Sequence, residues 1–363
     1  MPKKRLVIKI GSSSLTEKNG ELSYDSISQY AKAAAALKND GHEVILISSG
    51  AVAAGFTKMG YPVRPVTTAG KQAAAAVGQN LLMQAYAEAF SHHGLVTAQL
   101  LLTRQDFMQE EHYKNAYNTM DELIKRGVIP VINENDSTAV EELTFGDNDM
   151  LSALVSGCLH ADQLIILTDI DGIYKENPNT NPGAEKYNSL SGVPDEVIKQ
   201  AEGSSSKVGT GGMKSKLEAA RTAHTMGVPV FIGKAQKEKQ LVNIISGDGS
   251  GTYLSPPGSK MMKNTKQWIA FHSLAKGKIY IDQGAEAAVL TKGKSILPVG
   301  ITSVEGAFNS RDVVDVYNLQ GRLIGRGKIN FDADKLKELI NRRNRLNGKR
   351  CEAIHRDQWI SVE

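Results

Sequence analysis

The chain has 363 residues, 41% of them apolar and 23% charged, which excludes wholesale disorder and suggests two or three domains at roughly 100–200 residues each. Its 43 Lys and Arg against 39 Asp and Glu leave a formal charge of only +4, too little for nucleic-acid binding by the whole surface. No apolar run reaches the ~18 residues of a membrane span, and Arg5 to Ile10 is too short and polar for a signal peptide. Cys158 and Cys351 are far apart and in no metal-like spacing, so a disulfide scaffold and a zinc site are not expected, and a reducing cytoplasm fits.

The first two-thirds of the chain alternate apolar β-branched runs with helical stretches. Leu6–Ile10 predicts a strand, Tyr24–Asn39 a helix, Val44–Ile47 a strand and Gln72–Ser91 a helix. Leu95–Leu102 predicts a strand, Ala116–Arg126 a helix, Val128–Ile132 a strand and Asp149–Leu159 a helix. Leu164–Thr168, a helix over Lys214–Met226 and Val228–Ile232 complete the series. Nearly all-apolar strands alternating with helices predict an α/β fold: a mostly parallel sheet covered on both faces. Ligands then bind outside the carboxyl ends of the strands. Four of those ends run into small or polar residues, at Gly11–Ser14, Ser48–Gly50, Asn133–Asp136 and Asp169. Turn chemistry alone explains any one of them; four together point to one functional edge.

Ser255-Pro256-Pro257-Gly258 reads as a boundary, which places a first domain at 1–258. Lys260–Gln267 is a basic stretch without apolar periodicity, within an expected linker at 259–275. From 276 the pattern changes to short strands at Lys278–Asp282, Val289, Ile296–Ile301, Val313–Tyr317 and Leu323–Ile329, with a late helix at Asp332–Asn341. That predicts a small β domain over 276–363, which carries 16 basic against 11 acidic residues.

Three features carry possible chemistry. Lys9 interrupts an apolar strand one residue before a glycine–serine turn. Such a lysine either meets an anion or snorkels to water from an edge strand. Gly209–Lys216 (GTGGMKSK) precedes a helix; it is either a phosphate-binding loop or a linker, and it is neither a Walker A loop nor GxGxxG. Phe145–Asp149 (FGDND) opens a helix with more polar groups than one cap requires, and Asn133–Asp136 has the same surplus for a turn. The eight histidines show no HExxH spacing and no GxSxG elbow is present. His355-Arg356-Asp357 copies a protein-kinase triplet without a following DFG and is coincidental.

Together the segments Val7–Ser12, Ile47–Gly55, Val131–Asp136, Gly146–Asp149, Leu167–Asp169 and Gly209–Lys216 resemble the amino acid kinase family in residues, order and spacing, and within it the branch that phosphorylates glutamate. Residues from about 276 resemble a PUA domain, a small β-barrel-like module. The resemblance implies ATP-dependent phosphorylation of the L-glutamate side-chain carboxylate, with Mg²⁺ accompanying the nucleotide. It implies catalytic roles for Lys9, Lys216 and Asp149, and glutamate binding by Ser49, Asp136 and Asn148. Nucleotide binding would fall to Lys9, Thr168, Asp169, Thr210, Gly211, Gly212, Met213, Lys214, Ser215 and Lys216; it names no protein ligand for the metal. It further implies feedback inhibition by proline and a homo-oligomer, a dimer or tetramer. Other members of the family, acting on acetylglutamate, aspartate or carbamate, are the alternative. An RNA-binding protein is a second, but the basic run at Arg342–Arg350 has no aromatic stacking partners and does not support it.

Overall fold

The computed structural model describes residues 2–17, 20–138, 148–176, 178, 180–181, 183–201, 212–257, 264–341 and 352–361. The chain divides into two compact units, Met1–Asp106 with Lys114–Met261, and Phe107–Tyr113 with Met262–Glu363.

In the first unit the strands are β1 (Arg5–Ile10), β2 (Glu43–Ser48), β3 (Thr97–Leu102), β4 (Ile129–Glu134), β5 (Gln163–Leu167), β6 (Ile173–Tyr174), β7 (Lys186–Tyr187), β8 (Ser189–Ser191), β9 (Val230–Gly233) and β10 (Gly251–Ser255). The helices are α1 (Tyr24–Asn39), α2 (Ala51–Lys58), α3 (Thr68–Ser91), α4 (Arg104–Met108), α5 (Glu110–Lys125), α6 (Asn148–Cys158), α7 (Asp195–Ala201), α8 (Met213–Thr225) and α9 (Glu238–Ser246); the last residues of α4 and the first of α5 belong to the second unit. Eight strands form one sheet in the order β3-β4-β2-β1-β5-β9-β10-β8, parallel except where β10 meets β9. The expected mostly parallel sheet is therefore observed.

The period-two alternation of the strands sorts their side chains between two helical layers. Leu6, Ile8 and Ile10 of β1, Val44 and Leu46 of β2 and Ile129 and Val131 of β4 share one core with α1, α3 and α9. The same alternation places Ser48 and Asn133 toward α3. Val7 and Lys9 take the opposite face, where α6 lies against β1 and α8 lies beside α6. Register aligns the carboxyl ends: Ile10 pairs with both Ser48 and Leu167, and Ile47 pairs with Ile132. At the amino ends, Arg5 ties β1 to Glu43 and to the carbonyl of Leu159.

Two glycine devices set the helices over this edge. Gly50, at φ 105°, makes the left-handed turn between β2 and α2. Gly55 and Gly78 let α2 and α3 pack backbone to backbone. A Cβ on Gly55 would lie 1.8 Å from the Ala74 carbonyl oxygen, and one on Gly78 would lie 1.8 Å from that of Ala51.

The second unit contains α10 (Asn264–Phe271), β11 (Ala275–Ile281), α11 (Gln283–Leu290), β12 (Ile301–Gly306), β13 (Val313–Tyr317), β14 (Leu323–Ile329), α12 (Ala333–Asn341) and β15 (Ile354–Ser361). Its sheet runs β12-β11-β13-β14-β15 around a core that includes Ile279, Ile281, Val314, Val316 and Trp359. Three expectations are corrected here. Ile296–Ile301, read as a strand, makes a single bridge at Ile296 and a 3-10 turn at Pro298–Gly300, and β12 begins only at Ile301, because Pro298 lacks the N–H that a strand ladder needs. Val289, read as part of a strand, lies in α11, because Ala285, Ala287 and Ala288 favour helix over their one β-branched neighbour. The expected linker at 259–275 contains α10, whose Trp268 and Ile269 are buried; its one apolar run, Trp268–Phe271, is too short to show a helical period. The segment Phe107–Tyr113 also belongs to this unit. Its Phe107 carbonyl accepts from Trp268 Nε1 at 3.2 Å, and its Glu110 pairs with Lys328 at 2.5 Å. The His272 ring packs on Tyr113 and Phe107, and burial pushes its pKa down to about 4.

Gly78→Ala is expected to destabilise the chain by about 1–3 kcal/mol, because the added methyl forces α2 and α3 apart despite alanine's better helix propensity. Chemical denaturation checks this; an unchanged midpoint would contradict backbone contact between these helices.

Candidate active site

Asp149 stands on the first turn of α6 with no solvent exposure. Lys9 Nζ lies 2.6 Å from its Oδ1 and Lys216 Nζ 2.9 Å from its Oδ2. Both lysines are themselves more than nine-tenths buried. Thus two cations 207 positions apart in sequence meet on one carboxylate at the carboxyl edge of the sheet. The reason is topological: β1 projects Lys9 onto the face that α6 covers, and α8 brings Lys216 on its own first turn. The hydroxyl of Ser215 stands 3.0 Å from Asp149 Oδ2 and 3.0 Å from the Gly212 carbonyl oxygen. Burial opposes ionisation of Asp149, but the charges of Lys9 and Lys216 and the hydrogen bonds they donate outweigh it and hold this carboxyl below the usual range.

Beside this charged group is a run of carboxamides. Asn148 Nδ2 is 2.7 Å from Asn133 Oδ1, 2.8 Å from Ser49 Oγ and 3.0 Å from the Ser48 carbonyl oxygen. Asn133 Nδ2 donates to Gln79 Oε1 at 2.8 Å, and Asn133 Oδ1 also accepts from the Glu134 N–H at 2.9 Å. The Ser48 hydroxyl meets the Tyr86 hydroxyl at 3.0 Å. Asp136 follows β4 in a turn; burial pushes its carboxyl up, and the charge of Arg64 opposes that shift.

A cationic pair fixed on a buried carboxylate, next to a run of carboxamides, suits two anionic or zwitterionic ligands drawn together. Among the described residues, no group of three or more His, Cys, Asp or Glu side chains could hold a metal ion. No helix of the described residues is long and apolar enough to cross a membrane.

Residues 4–234 match the amino acid kinase family and residues 277–347 match the PUA domain. A relative from Halalkalibacterium halodurans, named glutamate 5-kinase, is 54% identical over 100% of this chain and 98% of its own. A glutamate 5-kinase from Bacillus cereus (strain B4264) is 53% identical over the whole of both chains, and one from Geobacillus kaustophilus is 54% identical over 100% and 98%. The chain belongs to the amino acid kinase family. Solved structures agree on the fold. Carbamate kinase from Giardia lamblia bound to AMP-PNP has a TM-score of 0.51 at 17% identity, covering 70% of this chain and 99% of its own. UMP kinase from Bacillus anthracis has 0.50 at 15%, covering 72% and 100%.

Within this amino acid kinase fold, Lys9, Asp149, Ser215 and Lys216 come together, as do Ser49 and Asn148. Thr168 and Asp169 follow β5, the neighbour of β1, and the Thr168 hydroxyl donates to Asp169 Oδ1 at 3.1 Å. Gly212 precedes α8, which Met213 opens, and Lys214 is exposed on that helix. Thr210 and Gly211, like Gly146 and Asp147, lie outside the described residues. Sequence reasoning placed no role on Gln79, and Asn133 entered it only as part of a motif. A polar residue three positions before Leu82 and seven before Tyr86, on the buried face of an alanine-rich helix, is the signal that could have marked Gln79.

Asp149→Asn is expected to destabilise the chain by about 3–5 kcal/mol at pH 7, since it removes the buried charge that both ammonium groups share. Because the folded pKa is depressed, the wild-type advantage is full above the unfolded value of about 3.9 and disappears as pH falls through the lower folded value. Denaturation of both proteins across that window checks this; a stability difference that grows on acidification would refute it.

Proposed function

We propose that the chain transfers the γ-phosphoryl group of ATP to the side-chain carboxylate of L-glutamate, giving γ-glutamyl phosphate and ADP, the first step of proline biosynthesis. The arrangement of Lys9 and Lys216 on Asp149 carries this reading, and the full-length likeness to proteins named glutamate 5-kinase supports it. A glutamate side chain with a pKa near ~4.3 is already ionised at neutral pH, so its oxygen attacks phosphorus without a general base. The new bond joins that oxygen to the γ-phosphorus; the bond to the β–γ bridging oxygen breaks and its electrons leave with ADP. No proton changes place.

The barrier is electrostatic, because an anion must approach a polyanion. In this reading Lys9 and Lys216 hold the β- and γ-phosphates and spread the charge of the transferring group. Asp149 orients both ammonium groups and keeps them from following the leaving nucleotide. Ser49, Asp136 and Asn148 position glutamate, while Thr168, Asp169 and the stretch Thr210–Lys216 receive the nucleotide. Magnesium enters with ATP as part of the substrate. Proline shares the amino acid end of glutamate and is expected to compete at the same pocket. The proposal extends to a homo-oligomer working in the cytoplasm.

A coupled ADP-release assay over glutamate, N-acetylglutamate, aspartate and carbamate, with and without proline, tests the assignment. Glutamate alone should support turnover. Lys216→Ala should lower that turnover by roughly 10²-fold or more, as does loss of a preorganised charge donor elsewhere. Equal turnover with another acceptor, or near-normal activity in the variant, would refute the reading.

A further inference from the structure

The carboxamide run has a direction that its two ends impose. The Ser48 carbonyl oxygen can only accept, so Asn148 must turn Nδ2 toward it. The Glu134 N–H can only donate, so Asn133 must turn Oδ1 toward it. Those two constraints leave Asn133 Nδ2 facing α3, where the Gln79 side chain answers with Oε1. Gln79 is 7% exposed, and its Nε2 has no hydrogen-bond partner among the described residues. A residue present only to fill the buried face of α3 would be apolar, as Leu82 is, and would avoid burying an unpaired donor. At the other end of the run, Asn148 is 8% exposed and its buried Oδ1 also has no partner among the described residues.

We propose that Gln79 is a positioning residue for the amino acid substrate. By accepting from Asn133 Nδ2 it reinforces the orientation that the Glu134 N–H imposes on that carboxamide, and Asn133 Oδ1 in turn keeps Asn148 Nδ2 engaged. Asn148 is thereby held in one orientation beside Ser49, and that orientation sets how the two receive glutamate. Without Gln79, Asn133 Nδ2 has no acceptor on α3. Rotation of the Asn133 amide would then set its Nδ2 against Asn148 Nδ2, donor against donor. The inference rests on the glutamate-phosphorylating reading above and adds a residue that positions its amino acid site.

The test is steady-state kinetics of Gln79→Leu, Gln79→Glu, Asn148→Ala and the double variant Gln79→Leu/Asn148→Ala, with glutamate and ATP varied separately. Gln79→Leu should raise KM for glutamate about tenfold and leave KM for ATP unchanged, a split that a general loss of stability would not produce. Gln79→Glu keeps an acceptor within reach of Asn133 and should restore most of the loss. In the Asn148→Ala background, Gln79→Leu should add little, because both act through one group. Calorimetric binding of glutamate covers variants too slow to titrate by turnover, and Gln79→Met replaces the leucine variant if that fails to fold. A folded Gln79→Leu protein with KM for glutamate within about twofold of wild type would overturn the inference. So would effects of the two single changes that simply multiply, or failure of Gln79→Glu to improve on leucine. Wild-type protein without glutamate-dependent ADP release would instead sink the functional reading.

Discussion

One carboxylate between two ammonium groups governs the first unit. Asp149 is wholly buried, and Lys9 and Lys216 nearly so. None of the three would be tolerable alone, since an isolated charge out of water is strongly disfavoured. Together they carry one net positive charge, fixed in place before any ligand arrives. A side chain already held in position need not reorganise when charge develops on a transferring group, which is where preorganised sites gain their effect. The same pairing ties β1, α6 and α8 into one arrangement, so the site's charge and the packing of that layer depend on the same contacts.

The second layer supplies the neutral half of the candidate site. Its helix α3 faces the carboxyl ends of β2 and β4 and offers Gln79 and Tyr86 from one side, two turns apart. The close approach of α2 and α3 through Gly55 and Gly78 holds that side against the strand ends. Charge thus comes from one face of the sheet and neutral hydrogen bonding from the other, and they meet where the strands end. This division suits a reaction in which a polyanion is neutralised on one side and a zwitterion is oriented on the other.

Much of this was legible before folding. The alternation of apolar strands and helices specified a mostly parallel sheet, because covered strands must be apolar on both faces. Lys9 stood out for the same reason: its charge contradicted its strand. Asp149 was visible as part of a polar surplus at a helix start, and Lys216 as the end of a glycine-rich stretch before another. Gln79 was not, because one glutamine among alanines is unremarkable until the helix face is known. Val289 and α10 were misread where two or three residues had to decide an element that neighbours in space actually settle.

Sequence by itself therefore determined the elements, the polar strand ends and the residue types available for phosphate chemistry, since these follow from local spacing and hydropathy. Only the tertiary structure decided which charges share a partner. The joining of Lys9 to Lys216 through Asp149, and the polarity of the run from Asn148 through Asn133 to Gln79, depend on register and helix placement. Hydrogen bonds and Coulomb attraction act over a few ångströms of space, and chain separation carries no information about that distance.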